Sequence, residues 1–154
     1  MFGVEASKDR AETSFLFPFR TFSDFESALE LFFSPSAASV ILYVAALKCG
    51  TNSCRKVKKR VKMKEKVLMS LSKVKNEERW GEISFQNVNF ENGSGKVIII
   101  KSFEAVARKA EQPSCHFFRG FLAGFLSELF KKTVAVTEEK CAAKGNKQCE
   151  FAFE

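Results

Sequence analysis

Apolar residues recur every three or four positions through the first half of the chain and, from residue 82 on, largely every two. The first half therefore reads as helices. Residues 23–33 predict a short one, with Ser23 as its cap, Glu26 three positions on to complete a capping box, and Phe25, Leu29, Phe32 and Phe33 as its buried stripe. Ser34-Pro35-Ser36 ends it. Residues 37–48 read as a buried apolar stretch that starts as a helix, and Gly50 breaks that pattern. Residues 51–76 predict the longest helix, with Val57, Val61, Leu68, Leu71 and Val74 near one face. Ahead of these, residues 1–10 are polar and expected to be loose, and residues 13–22 carry FLFPF, interrupted by Pro18.

The second half reads as two hairpins around a helix. In ISFQNVNF the apolar phase moves from Ile83 and Phe85 to Val88 and Phe90, which predicts a bulge or bend. Residues 91–95 are a turn signal, and VIIIK is a continuously apolar strand expected at the centre of a sheet, with a possible continuation through residues 102–105. Residues 115–131 form a second strong helix, in which Gly120 and Gly124 permit close approach of another backbone. TVAVTEE and QCEFAFE are the last two strands.

Strand periodicity then assigns faces. Val134, Val136 and Glu138 share one side, so Glu138 is carried inward beside valines; Cys149 shares its inward side with Phe151 and Phe153. Cys115 falls on the apolar half of its helix, in line with Leu122 and Leu126. A buried carboxylate needs a partner, and a cation supplies one. Cys115, Glu138, Cys141 and Cys149 make a donor set suited to tetrahedral Zn²⁺. Two other readings stay open at this level: small core thiols, and a cystine between Cys141 and Cys149.

Composition sharpens the picture in three places. The chain has 18 Phe against one Trp and one Tyr, which suits either a ring-packed core or an apolar cavity, with Phe118, Phe121, Phe125 and Ile99 as candidate walls. Five cysteines, with no secretory signal and no apolar run long enough to span a bilayer, predict a cytoplasmic chain with reduced thiols. The formal net charge of +7 is concentrated in residues 55–66, where eight basic side chains accompany Glu65. Such a strip, from Arg55 to Lys66, suits nucleic-acid or protein contacts as well as a solvated helix face; no aromatic residue is interleaved there for base stacking. Cys49 and Cys54, spaced C-x-x-x-x-C, read first as free core or loop thiols, with a regulatory pair or a second metal half-site as the alternatives.

The segment CHFFRGFLAGFLSELFKKTVAVTEEKCAAKGNKQCEFAF resembles the 4-vinyl reductase (4VR) domain family. GEISF and VIIIKSFEA extend the resemblance upstream to about Trp80, and VILYVAALKCG fits the family's more variable first half. The family is related to the ligand domains of bacterial aromatic-sensing activators and shares the fold of NO-signalling and Golgi-transport ligand-binding domains. The resemblance implies a homodimeric domain that binds a small apolar molecule. It also implies a structural zinc on three Cys and one Glu, which falls on Cys115, Glu138, Cys141 and Cys149. Those sensors anchor a phenolic hydroxyl with a His and a Trp. The one His here, His116, sits on the polar half of its helix, so phenol recognition is not carried over, nor is haem.

The expectation is therefore a single α+β domain over residues 1–154, helical to residue 80 and holding a sheet and zinc site from residue 81. Its sheet is mainly antiparallel and four-stranded, two hairpins joined by a helix. The function expected is that of a sensor or carrier for an apolar molecule, with a nucleic-acid or protein-interaction module as the second reading. No catalytic residue is assigned and no nucleotide-binding glycine loop is present, so the reading leans away from an enzyme.

Overall fold

The computed structural model describes residues 18–154, so the readings for residues 1–10 and for the start of FLFPF lie outside the described part. In chain order the elements are α1 (Phe19–Phe33), α2 (Pro35–Arg60), α3 (Lys64–Glu77), β1 (Glu82–Asn89), β2 (Ser94–Ile100), α4 (Phe103–Val106), α5 (His116–Phe130), β3 (Val136–Lys140) and β4 (Cys149–Phe153). The four strands form one antiparallel sheet in the order β1-β2-β4-β3, the α+β arrangement of two hairpins joined by a helix. The apolar strand VIIIK is internal, with Val97 opposite Phe151 and Ile99 opposite Cys149. The register shift predicted for β1 falls between Gln86 and Asn89, around Asn87 with a φ of 51°.

Several helix boundaries differ from the sequence expectation. Helix α1 begins at Phe19 behind Pro18, and the Ser23 hydroxyl is not its cap. Its inward residue is Glu26, whereas Phe25, Phe32 and Phe33 are exposed. Gly50 does not end a helix. Helix α2 runs 26 residues through it, with Pro35 opening the first turn and the Ser34 side chain accepting from the Ala37 N–H. The long helix expected over residues 51–76 is instead split at residues 61–63, where Val61 turns extended. Continuity would have stacked Lys58 on Lys62 and Arg60 on Lys64, like charges one turn apart. On α3 the inward residues are Val67, Leu68, Leu71 and Lys75, and Val74 faces out. Residues 102–105 do not prolong the sheet; α4 forms there.

Helix α5 is the centre of the core. One side packs Phe118 toward Phe151 and stacks Phe121 on Phe125. The other meets α2 backbone to backbone: a methyl group on Gly120 or Gly124 would collide with the carbonyls of Tyr43 or Leu47, and one on Gly50 with that of Phe121. The inner stripe of α2, Ala38, Leu42, Ala46, Gly50 and Cys54, is small enough to allow this approach. Gly120, Ala123 and Gly124 are buried for the same reason.

Candidate metal centre and ligand-binding region

Cys115 sits at the cap position of α5, Glu138 on β3, Cys141 just past the end of β3, and Cys149 at the start of β4. Their ligand atoms all lie within 4.8 Å of one another, and all four residues are buried. The Cys115 Sγ is 3.9 Å from that of Cys141 and 3.7 Å from that of Cys149. A disulfide requires about 2.05 Å. All three thiols are free, so the cystine reading fails. A tetrahedral ion with metal–sulfur bonds of about 2.3 Å spaces its sulfurs about 3.8 Å apart, which is the spacing found.

The loop between β3 and β4 holds this geometry through its backbone. The Asn146 side chain accepts from the Cys141 N–H at 3.2 Å, a turn of 3-10 helix follows over Ala142–Lys144, and the Ala142 N–H points at the Cys149 sulfur at 3.3 Å. Gly145 closes the turn with a φ of 96°. The Glu138 carboxylate accepts from the Cys115 N–H at 3.0 Å through one oxygen, while its other oxygen is buried without a hydrogen-bond partner. Burial pushes the Glu138 carboxyl up to about 7, and the neighbouring Cys141 adds to the rise. The thiols split: contact with Cys115 holds Cys141 far below the usual thiol range, whereas contacts with Cys141 and Cys149 push Cys115 far above it. Crowded sulfurs competing for protons beside an orphaned carboxylate oxygen are a donor set able to hold a cation.

Beyond Cys115, α5 carries rings. Trp80 lies at the middle of an aromatic cluster, with centroids 5.4 Å from Phe103, 5.7 Å from Phe117, 5.6 Å from Phe118 and 4.9 Å from Phe121. Phe22 joins from α1, 5.0 Å from Phe103. The candidate walls Phe118, Phe121, Phe125 and Ile99 are fully buried in this region and packed against one another or their neighbours. A cavity of about 290 Å³ lies between α1, the end of α3 and the β1–β2 edge, lined in part by Arg79 and Gly81 on either side of Trp80 and by none of these walls.

Sequence reasoning did not find the polar groups under this cluster. Glu104 on α4 accepts from the N–H groups of Phe117 and Phe118 at 2.8 and 2.9 Å, so it satisfies the start of α5. Glu26 is buried beside it, 3.3 Å from Arg108. Burial pushes Glu26 up to about 7 and Glu104 well above its usual range. Lys75 is buried on α3. The available signal was an ionisable residue interrupting an apolar stripe, Glu26 between Phe22 and Leu29 and Lys75 beyond Leu68 and Leu71. His116 is half-buried, and burial lowers its pKa.

The sheet, the central helix and the thiolate–carboxylate cluster together define a small helix-flanked α+β domain of the kind read from the sequence. Residues 96–154 match the V4R domain, so the chain carries that domain's signature over this stretch. Two uncharacterized proteins of Methanocaldococcus jannaschii are 39% identical over 70 residues and 45% identical over 40 residues. Those matches take in 44% and 26% of this chain, and only 31% and 25% of the two relatives. Among solved structures, the fold is shared with the phenol-responsive sensory domain of the transcription activator PoxR with phenol, at a TM-score of 0.82 and 17% identity, over 91% of this chain and 75% of that one. It is also shared with a vinyl-4-reductase family protein from Methanocaldococcus jannaschii, at a TM-score of 0.64 and 21% identity, over 93% and 84%. A trafficking protein particle complex subunit 3 from Naegleria fowleri, covalently bound to palmitic acid, gives a TM-score of 0.64 at 14% identity, over 88% and 91%. Among the described residues no helix is long and apolar enough to cross a membrane.

Proposed function

We propose that this chain is a small-molecule sensor or carrier domain that takes an apolar ligand among the rings around Trp80 and holds a structural Zn²⁺ on Cys115, Glu138, Cys141 and Cys149. The observation that carries the reading is the double role of α5. Its cap residue supplies one sulfur of the four-group cluster, and its next turn supplies Phe117, Phe118 and Phe121 to the aromatic cluster. Zinc there pins the start of α5 to the β3–β4 hairpin and closes one end of the ligand region, with Phe118, Phe121, Phe125 and Ile99 as walls that part to admit the ligand. Four protein ligands leave no open position for an activated water, so the metal's role is structural. Free thiols in this state suit a reducing compartment, the cytoplasm. The phenol bound by the PoxR domain and the palmitic acid on the trafficking subunit support an apolar ligand on the same fold. Native mass spectrometry of the protein as purified tests the reading. One zinc per chain and a retained small molecule are expected; metal-free, ligand-free protein refutes it.

The domain is proposed to act as a homodimer through α1 and α2. Helix α2 is apolar on both sides: behind its buried stripe, Val40, Val44 and Leu47 form an exposed outer one, and Phe32 and Phe33 at the end of α1 are exposed as well. A contiguous face of this kind on a monomer marks an interaction surface, and a second copy presents the same face to it.

A second reading keeps the basic strip. Lys59, Arg60, Lys62 and Lys66 are exposed around the α2–α3 joint, while Arg55 and Lys58 are paired with Glu128 at 3.1 and 3.4 Å. A steeply salt-dependent shift with DNA or RNA would favour it.

A further inference from the structure

Lys75 occupies a core position. It follows Val67, Leu68 and Leu71 on the inward face of α3, and its side chain is 10% exposed. Its ammonium lies 3.9 Å from the centroid of the Trp80 ring and 5.1 Å from that of Phe121, so it sits at one pole of the aromatic cluster. The carboxylate paired with it, at 2.5 Å, is Glu78, whose side chain is 45% exposed. Taking an ammonium out of water is costly, and the attraction of a half-hydrated partner one helical turn away returns little of that cost. An aliphatic side chain would fill this position on α3 more favourably. What a cation at the edge of a ring cluster does well is hold an anion whose remaining body is apolar.

The surroundings fit the same occupant. Arg79 and Gly81 bracket Trp80 with φ values of 62° and 138°, and the Trp80 backbone is fixed by its N–H to the Lys75 carbonyl and by the Phe103 N–H to its own carbonyl, both at 2.9 Å. These same two bracketing residues line the cavity of about 290 Å³, with Phe19, Asn76, Glu82, Lys101 and Val106. Its cationic side chains are Arg79 and Lys101, the latter 3.7 Å from Glu82. The volume lies at the small end of the range for ligand sites. The cavity flanking Trp80 in sequence is thus small, partly apolar and rimmed by two cationic side chains and one carboxylate.

We propose that the ligand is a small aromatic carboxylic acid, bound with its ring among Trp80, Phe118 and Phe121 and its carboxylate on Lys75 in place of Glu78. This deepens the apolar-ligand reading and rests on it. The ammonium makes a charge-assisted bond to the incoming carboxylate while Glu78 swings into water, so the resting ion pair is exchanged for an equivalent one inside the ring cluster. A neutral molecule of the same shape gains the ring contacts alone.

Trp80 is the one tryptophan in the chain, so its fluorescence reports the site directly. The test titrates phenylacetate and, separately, the neutral 2-phenylethanol into the full chain. Phenylacetate is expected to saturate the Trp80 signal with at least tenfold higher affinity than 2-phenylethanol. Lys75→Met is expected to remove that preference, so that the two probes bind alike. Glu78→Gln, a change at a half-exposed side chain, keeps the test open if Lys75→Met fails to fold, and it is expected to tighten phenylacetate several-fold by removing the internal competitor. Equal affinity for the two probes, or no tightening in Glu78→Gln, overturns the proposal. If 2-phenylethanol binds and phenylacetate does not, the acid class falls while the apolar-ligand reading stands. If neither binds and no molecule is retained in native mass spectrometry, both fall.

Discussion

The backbone N–H of Cys115 donates to the Glu138 carboxylate at 3.0 Å, so the start of α5 is tied to β3 by the same two residues that offer a metal one sulfur and one oxygen. This bond leaves one Glu138 oxygen with no hydrogen-bond partner, in a pocket with three sulfurs. Removing one sulfur should therefore act on metal content and on folding together. Cys149→Ser is expected to lose bound zinc, measured by elemental analysis, and to destabilise the domain by more than about 3 kcal/mol, since structural zinc contributes directly to folding. A variant that keeps one metal per chain at wild-type stability would remove Cys149 from the ligand set.

Gly124 faces the Leu47 carbonyl across the α2–α5 contact, at a separation that leaves no room for a methyl group. Neither backbone can yield without moving a whole helix. Gly124→Ala is expected to destabilise by upward of about 2 kcal/mol despite the better helix propensity of alanine, as read by chemical denaturation. A stabilised variant would show that the helices sit further apart.

These two sites illustrate what the chain makes legible. Glu138 and Cys149 could be placed because strand alternation is strict and a one-residue error would turn every valine and phenylalanine outward. The β3–β4 loop then brings Glu138, Cys141 and Cys149 together, and Cys115 is added from the start of α5 as the fourth donor. Helix limits were harder. Gly50 looked like a terminator, because close packing and helix breaking use the same residue, and the difference lies in the partner helix, where Phe121 meets it from far along the chain. The exposed Phe32 and Phe33 looked buried because hydrophobicity marks any apolar contact, including one with another molecule. Glu26, Glu104 and Lys75 were missed since an isolated charge in an apolar stripe reads as noise until its partners are known.

The outer stripe of α2 gives a direct test of assembly. Val44, 59% exposed, lies between Val40 and Leu47, and none of the described residues buries it. Val44→Glu should leave the monomer's stability within about 0.5 kcal/mol of wild type, because the position is solvated there. It should convert a dimer to a monomer in light scattering, because the interface would bury an unpaired carboxylate. A wild-type chain that is monomeric at high concentration would exclude the second copy as occupant.

Glu26 supplies a pH signature that separates its two environments. Burial raises its pKa to about 7, against an opposing pull from Arg108 3.3 Å away. With the folded value above the unfolded one, the native state holds a proton that the unfolded chain has released between about pH 4.5 and 7. Its contribution to stability is therefore present at low pH and lost as pH rises through that window, by at most about 1.4 kcal/mol per pH unit for one proton. Glu26→Gln carries a permanently neutral group of the same shape. The difference in unfolding free energy, wild type minus Glu26→Gln, should decline from pH 4.5 to 7 and then level off, with the variant the more stable of the two above pH 7 relative to its standing at pH 4.5. The comparison reads Glu26 together with its effect on the neighbouring Glu104, whose own rise owes part to the Glu26 charge. A difference that rises with pH would mean that the Arg108 ion pair outweighs burial, and that Glu26 is held as a carboxylate against α4.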